Sequence, residues 1–232
     1  MSHLKLIGVF VLIVQMVLFH PAQAQSRNLA PDFVKLPQGA KVVIMPTDIE
    51  LFSISAGGVA EPKADWTEAA SKYFRGALEE KKHELGFVSI DLSNADSDEF
   101  AEVNALHAAV AKSISIHHLG ALKLPTKEGK MDWSMGDAVQ GLQQKTGADY
   151  ALFSWVRDSY ASAERKATMI LLAAVGVGLT GGQQVGYASL VDLHTGQVVW
   201  FNRMFRGFGD LRDAAPAKAS VDVLLTNFPS AL

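Results

Sequence analysis

The chain has 232 residues, with 21 basic and 24 acidic side chains and a formal net charge of −3. This mild acidity gives no electrostatic basis for binding nucleic acid, and no block of Lys or Arg marks a polybasic membrane patch. Because the sequence contains no Cys, it excludes disulfides, thiolate metal sites, a Cys nucleophile and a lipidated Cys.

The N-terminal segment has the organisation of a signal peptide. Lys5 precedes an apolar run at 6–19, and the small residues Ala22 and Ala24 form a cleavage pattern. We expect cleavage after Ala24 and export to the periplasm, with association with the outer membrane left open. An uncleaved membrane anchor is the alternative, but the apolar run is shorter than the ~20 residues that cross a bilayer.

Residues 25–40 are interpreted as an extended leader, and residues 41–232 as one α/β domain. Apolar and alternating runs predict strands at 41–45, 48–54 and 87–92. Between the last two we predict a helix at 65–85, with Asp65 as its N-cap and Gly86 as its left-handed C-terminal residue. The resulting strand-helix-strand unit predicts parallel pairing.

In the second half of the chain, we predict three more helices and three more strands. The helices are expected at about 97–118, 134–145 and 213–228, and the strands at 150–156, 187–193 and 197–206. Gly196 lies in the loop of the predicted hairpin, where a positive φ is needed. The predicted fold class is α/β (α+β), a mixed β-sheet with helices packed mainly on one face.

The hairpin sequence resembles that of a group of bacterial envelope proteins. The run from Val191 to Trp200 reads V-D-x-x-T-G-x-x-x-W, with Asp192, Thr195 and Gly196 at the fixed positions. After a strand, this pattern resembles the family of the curli secretion channel lipoprotein and the TolB amino-terminal domain. The resemblance implies a TolB-amino-terminal-like sheet and an envelope role exerted through protein contacts.

Two departures limit what this resemblance implies. The lipoproteins of the group carry a lipidated Cys after the signal, where this chain has Gln25. The curli channel also inserts strands of alternating polarity to form its barrel, whereas the excursion at 167–182 does not alternate. Neither a lipid anchor nor a pore is therefore implied for this chain.

The apolar excursion at 167–182 lies within a longer stretch, 167–191, that contains no charged residue. A buried helix with close glycine packing is one interpretation. The other is an exposed apolar element that contacts a partner protein or a membrane surface. The suspected contact residues are Met169, Ile170, Leu171, Leu172, Val175, Val177 and Leu179.

No residue pattern in the sequence supports an active site. Gly176 to Gly181 matches G-x-G-x-x-G, but a dinucleotide site also needs a preceding strand and a helix that opens at the last Gly. His117 and His118 are adjacent and diverge on a helix, and no G-x-S-x-G elbow is present. We therefore expect no catalytic residues, no metal and no cofactor.

The sequence thus predicts a non-enzymatic exported envelope protein, an accessory or assembly factor acting through protein contacts. Its expected partners are envelope proteins of unknown identity, with a homo-oligomer and membrane-surface contact left open. Two alternatives remain at this point: a subunit of a membrane-associated oligomeric export complex, and a nucleotide-binding enzyme.

Overall fold

The computed structural model describes residues 27–92, 98–207 and 209–231. The predicted signal peptide at 1–24 and the start of the helix predicted at 97–118 lie outside the described residues. Within the described ranges, no helix combines the length and the apolar character needed to cross a bilayer.

Seven strands and five α-helices are present in the described residues. The strands are β1 (Lys41–Ile44), β2 (Asp48–Ile54), β3 (Ala60–Pro62), β4 (Val88–Asp91), β5 (Tyr150–Ala161), β6 (Gln184–Asp192) and β7 (Val198–Arg206). The α-helices are α1 (Ala64–Leu85), α2 (Ala101–His117), α3 (Gln140–Thr146), α4 (Ala163–Ala173) and α5 (Ala214–Leu224). Short 3-10 turns occupy Pro125–Lys127 and Gly136–Val139.

The long strand β5 is the centre of a mixed sheet, as predicted. One edge of β5 pairs in parallel first with β1 and then with β2, and its other edge pairs antiparallel with β6. β4 extends the sheet beyond β1 in parallel, while β3 and β7 add antiparallel strands beside β2 and β6. The third predicted strand, β4, does pair in parallel, but its partner is β1 rather than β2, the strand that precedes the helix in the predicted unit. The predicted hairpin is confirmed.

Helices cover both faces of the sheet rather than mainly one. Neighbouring strand residues alternate between two cores: Leu152 packs on the side of α1 and α5, and Phe153 on the side of α2 and α3. In the same way, Trp200 packs on the side of α1 and α5, and Phe201 on the side of α2 and α3. Because these strands are apolar on both sides, each face of the sheet requires its own helical layer.

The first helix ends as predicted but begins differently. Gly86 adopts the left-handed conformation with φ 71° and caps α1. Asp65 is not the N-cap, since Lys63 occupies that position without a side-chain hydrogen bond. Instead, the Thr67 hydroxyl accepts a hydrogen bond from the backbone N–H of Leu51 at 2.9 Å, which ties the first turn of α1 to β2.

The segment before β1 packs into the domain. Ala30 and Leu36 are completely buried, and Leu29 forms a β-bridge with Trp200. The backbone N–H of Leu36 donates to Pro229 O at 2.9 Å. The described part of the predicted leader therefore contributes to the core beside α1 and α5.

Candidate functional site

The polar and glycine residues of the hairpin pattern build its turn. The Asp192 carboxylate accepts hydrogen bonds from the backbone N–H groups of His194 at 2.8 Å and Thr195 at 3.0 Å. The Thr195 hydroxyl accepts from Gln197 N at 3.2 Å, and Gly196 has φ 72°. Such local bonds from Asp and Thr side chains satisfy backbone donors that the turn exposes.

The hairpin is also fixed to the body of the protein. Gly196 O accepts from Met135 N at 2.8 Å and from Ser134 Oγ at 3.1 Å. Trp200 is fully buried and meets Phe228 edge-on, with ring centroids 5.2 Å apart. Asp192, Thr195, Gly196 and Trp200 therefore all have structural contacts. None of them lines the cavities of about 550 and 430 Å³ that flank Pro46.

The excursion forms a closed arm between β5 and β6, which we define as residues 162–183. Ser162 caps α4 by accepting a hydrogen bond from Arg165 N at 3.2 Å. The Arg165 guanidinium donates twice to Thr180 O, at 3.1 and 3.0 Å. The arm is therefore a helix with a return loop, held together at its base.

The apolar side chains of the arm are largely exposed. Ile170, Leu171 and Val175 are 72%, 72% and 73% exposed, and Val177 is also exposed. The remaining suspected residues, Met169, Leu172 and Leu179, are half-buried, and α4 has no buried residue. The interpretation of this stretch as a buried helix is therefore wrong, although it is helical as far as Ala173.

The glycine motif lies in a context opposite to that of a dinucleotide site. Gly176 to Gly181 follows α4 and precedes β6, and no helix begins at Gly181. A Rossmann site needs a strand before the glycines and a helix after them, so that a helix N-terminus meets the pyrophosphate.

A buried polar network that the sequence did not reveal stands at the base of the arm. Asp158 is 2% exposed and accepts hydrogen bonds from Gln184 Nε2 at 2.8 Å and from the Tyr160 hydroxyl. Burial raises the pKa of the Asp158 carboxyl, although these hydrogen bonds oppose the shift. Ser220 Oγ extends the network by donating to Gln184 Oε1 at 2.8 Å. The network joins β5, β6 and α5.

The histidines are separated in the structure. His107 is buried and its Nε2 bonds to Ser189 Oγ, and burial lowers the pKa of His107 to about 3. His117 Nδ1 contacts Leu122 O at 2.7 Å, and His118 Nε2 contacts Arg27 O at 2.6 Å. Among the described residues, no group of three or more His, Cys, Asp or Glu side chains is placed to hold a metal ion.

No protein-family model matches this chain, and no curated protein matches its sequence. Among solved structures, it is similar to the PelC dodecamer from Paraburkholderia phytofirmans, at 14% identity and a TM-score of 0.40, covering 87% of this chain and 94% of that chain. Lipoprotein GNA1162 from Neisseria meningitidis is similar at 14% identity and a TM-score of 0.33, covering 82% and 98% of the two chains.

The C-terminal domain of LpoB from Salmonella enterica matches at 12% identity and a TM-score of 0.29, covering 74% of this chain and 84% of that chain. At such identities and scores, nothing about activity or partners is carried over from these proteins. They also give no support to the curli-channel resemblance in particular, which stays a likeness of the hairpin sequence.

Proposed function

We propose that this protein is an exported, non-enzymatic accessory or assembly factor of the cell envelope, which binds an apolar surface of a partner protein through its arm. The observation that supports this proposal is the exposure of Ile170, Leu171 and Val175 on one closed element. Clustered apolar side chains of this kind mark interaction sites on proteins, whereas single ones are ordinary.

The fold of the domain does not depend on these side chains. α4 buries no residue, while the two cores on either side of the sheet are complete without it. Burying a Leu or Ile side chain contributes about 1.5–3 kcal/mol, so two or three of them supply a useful part of a binding free energy. The arm is therefore suited to act as the anchor of an interface.

The absence of charged residues from most of the arm favours an apolar partner surface. No charged residue occurs from Ala167 to Val191, and the Arg165 guanidinium at the base is occupied by Thr180 O. An interface of this composition depends on apolar burial rather than on ion pairs, so its affinity should change little with ionic strength.

A membrane-associated oligomeric complex is the second candidate. Arg165 and Lys166 stand at the base of the apolar arm, an arrangement typical of elements whose apolar side enters the lipid interface while basic groups stay at the surface. The nucleotide-binding enzyme has no comparable support, since the glycine motif lacks the strand and helix it requires.

The test is site-specific photo-crosslinking from position 171 of the full chain in its own envelope. We expect one discrete adduct, identified by mass spectrometry and formed again from the two purified proteins. The double substitution Ile170→Asp with Val175→Asp should abolish it, because carboxylates cannot enter an apolar interface without a large desolvation cost.

The matched control places the same two charges at Val34 and Leu122, which are also exposed apolar residues but lie outside the arm. These substitutions should leave the adduct unchanged. Loss of the adduct in the control, or its persistence in the arm variant, would contradict the proposal. Crosslinking to lipid alone would show that the arm contacts a membrane surface rather than a partner protein.

A further inference from the structure

A cavity of about 430 Å³ opens beside the interruption between β1 and β2, away from the arm. Pro46 lies in this interruption and carries no backbone N–H with which to continue the pairing to β5. Pairing stops after Met45 N, which donates to Leu152 O at 3.0 Å, and the hydroxyls of Thr47 and Ser154 meet at 2.7 Å across the gap.

The position of the cavity in the fold is one that ligands commonly use. The chain passes from β1 to β4 through α1 on one face, and from β4 to β5 through α2 on the other. The carboxyl end of β1 is therefore a point where the connections diverge to opposite faces, and open α/β sheets bind ligands in such crevices. A second cavity, of about 550 Å³, lies on the α1 side and shares Pro46.

Small side chains on α2 keep the cavity open. Ala101, Ala105 and Ala108 face it at successive turns of the helix, opposite Trp155 and Tyr187 on the sheet. Ala101 and Ala105 are exposed and Ala108 is half-buried, so the cavity opens to solvent on this side. The sequence of α2 therefore leaves room for a ligand at this position.

His107 supplies a buried polar group to the cavity wall. Its side chain is 4% exposed, and its ring stacks on Phe153 with centroids 4.1 Å apart. Nε2 is bonded to Ser189 Oγ, while Nδ1 has no hydrogen-bond partner within the described ranges. A hydroxyl group both donates and accepts, so it satisfies Nδ1 in either neutral tautomer of the imidazole.

The aromatic wall presents ring edges rather than faces. The Trp155 ring lies between the Arg157 guanidinium, 4.7 Å from its centroid, and the Tyr187 ring, 5.2 Å away. Ring edges carry partial positive charge and pack favourably against the face of another aromatic ring. The wall therefore suits a flat ring that enters face-on toward these edges.

Charge at the cavity excludes anions. Asp98 lines it, and Asp48 lines it while paired to Arg157 at 2.8 Å. Glu50 occupies the same guanidinium at 3.2 Å, so Arg157 is not available to neutralise an acidic ligand. A carboxylate or phosphate in this cavity would be repelled.

We propose that this cavity binds a small uncharged aromatic ring bearing a hydroxyl group, held by the edges of Trp155 and Tyr187 and hydrogen-bonded at Nδ1 of His107. The ring is either a free phenolic molecule or the side chain of a tyrosine in a peptide, which share this chemistry.

The test uses fluorine NMR with para-fluorophenol as the probe, titrated with the protein from residue 25 onwards. We expect saturable line broadening with the unsubstituted protein. Ala105→Leu fills the cavity and should abolish saturable binding. Ala109→Leu, at an exposed position of α2 outside the cavity lining, is the matched control and should leave the affinity unchanged.

The role of the hydroxyl is tested separately. His107→Phe keeps a ring stacked on Phe153 but removes Nδ1, and should weaken para-fluorophenol binding by about tenfold, the value of one net hydrogen bond. Fluorobenzene, which lacks the hydroxyl, should bind the unsubstituted protein about tenfold more weakly than para-fluorophenol for the same reason.

Equal binding by the unsubstituted protein and the Ala105→Leu variant, or no saturable binding by the unsubstituted protein, would overturn the proposal. Competition by the peptide Gly-Tyr-Gly would assign the site to a tyrosine side chain, and its failure to compete would assign it to a free phenol. Circular dichroism melts of each variant verify that the fold is retained.

Discussion

Gly196 lies directly against the backbone of Gly136, so that a Cβ atom on Gly196 would collide with the carbonyl oxygen of Gly136. Gly196 also has φ 72°, in the region that only glycine adopts readily. Two features therefore require glycine at position 196: its own backbone conformation and the 3-10 turn that packs on it.

We predict that Gly196→Ala destabilises the protein by about 3 kcal/mol, combining left-handed strain with a backbone collision. Gly39 separates the two effects, because it has φ 76° but open space where a Cβ atom would lie. Gly39→Ala should cost only about 1 kcal/mol, the strain alone. Urea unfolding followed by tryptophan fluorescence measures both, and equal costs would mean that the contact with Gly136 contributes nothing.

Asp158 should be essential for the order of the segment before α5. Leu211 N donates to the Tyr160 hydroxyl at 2.8 Å, and that hydroxyl in turn donates to Asp158. We expect Asp158→Ala to cost about 3 kcal/mol, because it leaves Gln184 and Tyr160 buried without their acceptor. Hydrogen exchange should show a faster amide at Leu211 in this variant, and an unchanged amide would show that the network does not hold the segment.

Because of His107, the protein should become less stable as the pH is lowered. Burial lowers its pKa from 6.5 to about 3, so between these values the unfolded chain binds a proton that the folded protein does not. The free energy of unfolding should therefore decrease as the pH falls below 6.5, by up to about 1.4 kcal/mol per pH unit from this group. His107→Phe should remove that part of the slope, as measured by urea unfolding across the interval; an identical slope would contradict it.

Charges on the arm should leave the folded domain unaffected. Ile170 and Val175 are both more than two-thirds exposed, and surface substitutions of this kind change stability by about 0.5 kcal/mol or less. The variant carrying Asp at both positions should keep the melting temperature of the unsubstituted protein. A marked loss of stability would show that the arm is part of the core, and would remove the basis for its proposed role as a contact element.

Local signals in the sequence are sufficient for most of the elements and for some of their ends, but not for β3 or for α4. Gly86 and Gly196 were recognised because a left-handed residue after a helix, or in a hairpin loop, depends on a few neighbouring residues. The apolar runs at β1, β5 and β6 identified a mixed sheet for the same reason. The predicted N-cap of α1, Asp65, is wrong because the start of this helix depends on contacts with β2: Lys63 N donates to Leu51 O at 2.9 Å, and Leu51 N donates to the Thr67 hydroxyl.

The sequence by itself determined the strands other than β3, the hairpin and the absence of charge from Ala167 to Val191. Only the tertiary structure decided that helices cover both faces of the sheet, that Asp158 meets Gln184, that His107 meets Ser189, and that the arm is exposed. A periodic apolar pattern shows that one face of an element is apolar, but it does not identify the element that packs against that face. That depends on how far the other elements reach, and at α4 none of the described elements reaches far enough to bury it.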